Sequence, residues 1–275
     1  MTILERNFVF KIEIVCVVLL VLLVVVSSFF TVQLYPVAVN GAAERSTSII
    51  PGLAATHILP VQPLAPFIAV ISTMLYALVG IVCIYIYFEK TESPEIFFFS
   101  FFVLSTAFES LRIITPMSIQ YTLPSLYLGI AFKVLFFFRY FGIFSLFVAS
   151  INAAGMRLKN SLLMSASVAL LIALKVPIDR LSWNSSLGPI AGMSTTFAVV
   201  DAGCIVITVL NFFISAYSSG EKNYLFIGAG TLLVFLGKEL LISADTLFVP
   251  FLGFAFLAIG TWFVATRLHK IYLWL

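Results

Sequence analysis

Long apolar stretches, each closed by a short segment rich in Pro, Gly, Asn, Ser or charge, set the rhythm of this chain. An α-helix needs roughly 20 residues to cross about 30 Å of hydrocarbon. Eight stretches come close to or exceed that length, at residues 9–31, 66–88, 96–115, 124–150, 160–176, 191–217, 223–244 and 247–268. Inside lipid every backbone polar group must be satisfied within the protein, and isolated apolar runs achieve this as helices. The pattern predicts an all-α integral membrane protein with about eight transmembrane helices: an N-terminal anchor helix followed by a seven-helix bundle.

The first stretch could also be read as a cleaved leader. Its unbroken apolar run from Ile14 to Val26 leads into Ser27-Ser28-Phe29-Phe30, with no Ala-x-Ala site. Length and the missing site favour an uncleaved anchor. The chain then divides into a head and anchor (1–31), a Pro-containing extracytoplasmic segment (32–65) and the seven-helix bundle with a short cytoplasmic tail (66–275). Pro60, Pro63 and Pro66 are spaced as P-x-x-P-x-x-P, which favours an extended approach with Pro66 near the start of a helix.

Orientation follows from the basic residues. With the N-terminus inside, Arg6, Lys11, Lys90, Arg157, Lys159, Lys222, Arg267 and Lys270 fall on the inner side, against Arg45, Lys175 and Arg180 outside. Lys and Arg concentrate in cytoplasmic loops, so both termini are expected in the cytoplasm. Tyr85, Tyr87, Tyr272 and Trp274, with Trp183 on the other side, fit interfacial belts.

Composition agrees. The 275 residues are 62% hydrophobic and 10% charged, too few charges to cover a water-facing surface, so the lipid bilayer is the first partner. A net charge of +3 without a Lys/Arg-rich run points away from nucleic acid. Cys16, Cys83 and Cys204 stand alone in apolar segments and show no metal or disulfide spacing.

Ionisable side chains at membrane depth are costly, which makes each one a functional candidate. The third span carries Glu109 and Arg112, the fourth Lys133 and Arg139, the sixth Asp201, the seventh Lys238 and Glu239, with Asp245 at the seventh's outer end. At about 1.5 Å of rise per residue, Lys133 and Asp201 lie roughly 15 Å below the outer ends of their helices, and Glu109 and Lys238 about 9 Å below theirs. Arg139 alone is expected in the inner half. On the sixth span Ser194, Asp201, Cys204, Thr208, Asn211 and Ser215 share one helical face. Ser105, Glu109 and Arg112 do so on the third span, and Thr231, Lys238 and Asp245 recur every seven residues on the seventh. These faces are expected to line a common seam, with Glu109, Arg112, Lys133, Asp201, Thr208, Asn211, Lys238, Glu239 and Asp245 as ligand-binding or ion-pairing residues. Pairing of Glu109 with Arg112, and of Asp201 with Lys133 or Lys238, would make the same set a purely structural network. An ion or proton path is the third possibility.

Two further patterns concern packing. Ser161, Ser165, Ala169 and Ala173 recur every four residues, a small-residue stripe that lets another helix approach closely. The Phe runs at 97–99, 101–102 and 136–138 are expected partly in the core and partly against lipid, and Pro116 and Pro250 at span ends.

Catalytic patterns are missing. The two histidines, His57 and His269, lie outside the apolar spans, and the chain has no H-E-x-x-H, G-x-S-x-G or phosphate-binding loop motif. No cofactor, metal or enzymatic activity is expected.

The arrangement of seven closely spaced spans over 66–275 resembles the membrane portion of bacterial seven-transmembrane sensor modules. That resemblance implies a bacterial inner membrane as the host bilayer, and a receptor whose outer polar pocket takes a ligand and which signals through a separate protein at the cytoplasmic face. A small-solute or ion transporter or channel subunit, and a membrane scaffolding or assembly subunit, are the competing classes.

Overall fold

The computed structural model describes residues 3–31, 64–89, 91, 93–121, 124–156, 160–175, 187 and 194–273. These residues form eight helices and no strand. They are α1 (Ile3–Thr31), α2 (Ala65–Phe88), α3, α4 (Ser125–Ala153), α5 (Ser161–Lys175), α6 (Ser194–Ser219), α7 (Asn223–Ile242) and α8 (Phe248–Leu273). The third is composite: Pro94–Ala107 is α-helical, Phe108–Ile113 tightens to a 3-10 helix and Ile114–Gln120 resumes the α-helix. All but α5 are long and apolar enough to cross a membrane. The protein is an all-α, multi-pass integral membrane protein. Most of the 32–65 segment, the basic residues Arg45, Lys90, Arg157, Lys159 and Arg180, and His57, Trp183 and Trp274 lie outside the described residues.

Local chemistry places the helix ends. Ser93 caps α3 by accepting the Ile96 amide at 3.3 Å, Pro94 occupies the first turn and Glu95 faces the positive end of the helix. Pro66 likewise falls in the first turn of α2. Pro116, expected at a span end, lies inside α3, whose helix runs on to Gln120. The 3-10 winding directly ahead of it tightens the ladder just where proline has no N–H to donate.

Successive helices alternate in direction. Arg6 near the start of α1 donates to Phe88 O (2.6 Å) and Glu89 O (2.9 Å) at the end of α2, and also to Thr91 O. His269, near the end of α8, sets its ring edge-on to Phe88 at 5.6 Å. Tyr272 donates to Glu95 Oε2 at 2.6 Å, at the start of α3. The start of α1 and the end of α8 therefore meet on one face of the bundle, called here the terminal face; the opposite one is the far face.

The anchor helix is docked, not free-standing. Arg6, Phe10, Glu13, Val17, Val24 and Ser27 are its buried positions, separated by three, four or seven residues, so one stripe of α1 packs against α2 and α3. The rest of α1 shows Leu4, Phe8, Leu19 and Leu22 to the exterior, as a lipid-facing surface requires.

α3 is the centre of the bundle. It is the least hydropathic of the long spans and the most deeply buried. Phe97, Phe98, Phe99, Phe101 and Phe102 are all buried, so none of that run faces lipid. The expectation of a mixed position is corrected by a simple physical fact: α1, α2, α4 and α8 all pack around α3, and its three charged residues, Glu95, Glu109 and Arg112, are buried there away from lipid.

The most extensive helix contact joins α7 to α8. A Cβ on Gly237 would stand 2.7 Å from Gly253 O, and one on Gly260 would stand 2.6 Å from Gly230 O. Two glycine pairs, each member seven residues from the next on its own helix, bring the two backbones into contact. On α5, Ser165, Ala169 and Ala173 are buried against α4, so the small-residue stripe is a packing face.

Candidate functional site

The buried charges converge where the 3-10 segment of α3 meets α4 and α7. Glu109 is almost fully buried and takes two hydrogen bonds from Arg139 of α4, from Nε at 2.6 Å and Nη2 at 2.7 Å. This fork-to-fork pair is an ion pair held by two parallel hydrogen bonds. It is the strong, geometrically specific form of such a contact. Above it Lys238 of α7, also buried, donates to Arg139 O at 3.4 Å and holds its ammonium 5.6 Å from the Phe102 ring centroid.

Arg139 was expected in the inner half, apart from the other charges. The structure brings it into their midst, for a reason sequence spacing does not show. Side chains on a helix lean toward its N-terminus, and the N-terminus of α4 lies at the far face. The long arginine therefore reaches toward the far face to Glu109 while its Cα stays at the middle of α4.

Arg112, fully buried, does not pair with Glu109. Its Nη1 and Nη2 donate to Leu241 O (3.1 Å) and Ile242 O (3.2 Å), the last carbonyls of α7. Helix C-termini leave four carbonyls without intrahelical partners and favour cations. Lys133 acts in the same manner on another face of α4, donating to Leu174 O at 3.0 Å near the end of α5. Arg6 does so for α2. Three basic residues thus cap three helix ends, and Lys133 is not part of the Glu109 cluster.

Asp201 of α6 faces the same seam. It is half-buried, its Oδ1 is shut from solvent and has no hydrogen-bond partner, and it lies close enough to feel the charges of Lys238, Glu239 and Arg139. It forms no ion pair with Lys133 or Lys238. Glu239 is exposed at the rim, and Asp245, half-buried in the α7–α8 connection, is near enough for its charge to act on Arg112.

Thr208 and Asn211 sit further down the same face of α6. Thr208 donates to Cys204 O at 2.7 Å, and Asn211 Nδ2 donates to Ser150 Oγ of α4 at 3.1 Å. Both face inward, yet they serve helix and interhelical bonding away from the charged centre. The structure thus groups Glu109, Arg112, Lys238, Asp201 and Glu239 near Arg139, with Asp245 beside Arg112, and separates Lys133, Thr208 and Asn211 from them.

A second polar level lies toward the terminal face, and spacing arguments did not single it out. Glu95 is buried and accepts from Tyr272 (2.6 Å) and Ser93 Oγ (3.0 Å). Glu13 of α1 is buried beside Ser100 of α3. The signal was present in the sequence: both are carboxylates within or at the edge of an apolar run. Among the described residues no group of three or more His, Cys, Asp or Glu is placed to hold a metal ion. In comparisons with known proteins, the chain matches no family model, no curated protein and no solved structure.

Proposed function

We propose that this chain is a small receptor-like sensor module of a bacterial inner membrane, with both termini cytoplasmic. In this reading a polar ligand enters the seam between α4, α6 and α7 from the extracytoplasmic side, and a separate protein at the terminal face receives the signal. The observation that carries it is Asp201: a carboxylate oxygen without a partner, facing a lysine whose ammonium makes one long hydrogen bond. A closed structural network leaves buried polar atoms paired. A donor and an acceptor left open across one seam suit a small molecule that bonds both. The arrangement of seven closely spaced helices after an anchor, similar to bacterial seven-transmembrane sensors, supports the same reading.

One observation favours transport or conduction instead. The buried polar residues of α3 run its whole length, from Ser93 and Glu95 through Ser100 and Ser105 to Glu109 and Arg112. A third reading, an assembly subunit, rests on the helix-capping roles of Arg6, Arg112 and Lys133.

Thermal unfolding of the purified protein against a library of small polar metabolites and ions, repeated with Asp201→Asn, separates them. A ligand selective for the folded state stabilises it by about 2.7 kcal/mol at 100 times its dissociation constant. A shift that disappears in Asp201→Asn supports the pocket. Absence of any shift, together with a destabilised Asp201→Asn, sinks it and favours the assembly role. Substrate-dependent flux in proteoliposomes would favour the transporter.

A further inference from the structure

Glu13 is the one buried carboxylate of the described residues that the outer seam does not use and that has a free oxygen. It is 2% exposed, set between the fully buried Phe10 and Val17 on the docking stripe of α1. Ten residues from the helix start, it lies about 15 Å along α1. Its Oε2 has no hydrogen-bond partner. Its other oxygen is 3.1 Å from Ser100 Oγ, and that same hydroxyl is 2.8 Å from Phe97 O.

A serine hydroxyl has one proton. That hydroxyl faces both Glu13 Oε1 and Phe97 O, with the shorter contact to the carbonyl, so Ser100 offers the carboxylate at most a shared proton and no compensating charge. The surroundings agree, because among the described residues no cation is within ion-pair reach. On α1, Lys11 and Glu5 point to the exterior, and Arg6 is held by the carbonyls of Phe88, Glu89 and Thr91. On α3, Glu95 lies more than a turn before Ser100 and is bonded to Ser93 and Tyr272. α2 contains no Asp, Glu, Lys, Arg or His. A lone carboxylate there would cost several kcal/mol and would shed its charge by binding a proton.

We propose that Glu13 is a proton-binding site inside the membrane, occupied when α1 is docked on α2 and α3, and that α1 loosens when the proton is lost. The site is independent of the outer seam and of any ligand bound there. It gives the chain a means of registering proton activity in the half of the bundle nearer the terminal face.

The test uses the full chain in proteoliposomes and dicyclohexylcarbodiimide, a lipophilic reagent for carboxylic acids. The acid proton passes to a carbodiimide nitrogen, the carboxyl oxygen adds to the central carbon, and acyl transfer to nitrogen yields a stable N-acylurea where water is scarce. Peptide mass spectrometry should find this adduct on Glu13 and not on Glu109, whose carboxylate is held ionised by Arg139. No adduct on Glu13, or equal labelling of Glu109, overturns the proposal. Glu13→Gln supplies a second arm, since it keeps the size of the side chain and an oxygen that can accept from Ser100 but cannot titrate. The wild-type unfolding midpoint should fall as buffer is taken from mildly acidic to alkaline, and that part of the fall should be missing in Glu13→Gln. Identical pH profiles for the two proteins also overturn it; if the variant does not fold, the labelling decides alone.

Discussion

The guanidinium of Arg139 and the carboxylate of Glu109 share two hydrogen bonds, 2.6 and 2.7 Å long, across the boundary between α4 and α3. Each residue leaves its partner stranded if it is removed alone. Losing one member of a buried ion pair costs about 3–5 kcal/mol, whereas replacing both with apolar residues of similar volume is often neutral or stabilising. Glu109→Leu is therefore expected to destabilise strongly and Glu109→Leu with Arg139→Met to recover most of the loss. Denaturant unfolding of the four proteins in a double-mutant cycle measures the coupling. If Arg139→Lys matches wild type, the bidentate geometry is irrelevant and the pair acts as a simple charge contact.

Gly237 and Gly253 make a different kind of contact, one that excludes side chains. A methyl group on Gly237 would meet Gly253 O and Leu257 N, both at 2.7 Å. Backbone cannot step aside as a flexible side chain can, so Gly237→Ala should cost about 1–3 kcal/mol through overpacking. Gly129 and Gly203 offer the control: both are helical, and nothing lies within 4 Å of an added Cβ. Alanine there should be neutral or stabilising by up to about 1 kcal/mol, from helix propensity. Thermal midpoints in one detergent decide, and equal effects at the three sites would remove the glycine contact as the organising feature of α7 and α8.

Much of this fold was legible in the chain, and the reasons differ element by element. Each span had to be long and apolar, which placed its ends within a few residues, except that α1, α3 and α8 run past their apolar stretches to Ile3, Gln120 and Leu273. Helical phase pointed Thr208 and Ser215 inward, and both are buried. The small-residue spacing of α5 named a packing face. Spacing cannot reveal which helix a face will meet. It left Glu109 pairing with Arg112 open, although the partner is Arg139, because the answer depends on the order of helices around α3 and on the lean of side chains along α4. Charge on the third span, the least hydropathic of the long ones, was the available signal that it would be central. The seven-residue spacings of Gly230 with Gly237 and of Gly253 with Gly260 announced the α7–α8 contact equally openly.

Arg112 ties α3 to the end of α7 through two carbonyls that have no intrahelical partner. Hydrogen bonds to a charged group contribute about 1.5–3 kcal/mol each, and a buried acceptor left bare adds its own penalty. Arg112→Met should lower stability and loosen the last turn of α7 in particular. Hydrogen exchange of the amides from Phe235 to Ser243 is the readout. Protection there equal to wild type, with loss elsewhere, would mean that Arg112 acts on the cluster around Glu109 instead of on the helix end.

Tyr272 fastens the end of α8 to the start of α3 by donating to Glu95 Oε2 at 2.6 Å. Tyr272→Phe keeps the ring and removes that single donor, leaving Ser93 Oγ as the remaining partner of the carboxylate. The effect is expected to be local, because the glycine contacts between α7 and α8 and the Tyr76–Thr261 hydrogen bond, 2.7 Å long, hold the rest of α8 in place. Amide exchange from Thr266 to Leu273 should accelerate several-fold while the global unfolding midpoint moves by less than about 1 kcal/mol, the net contribution of a typical hydrogen bond. In a receptor that signals through the terminal face, this is also where output should change. A partner-binding assay on Tyr272→Phe would then show altered response with ligand affinity intact, since Asp201 and Lys238 are untouched. Altered ligand affinity together with unchanged exchange would place the contact in the binding step and not at the output end.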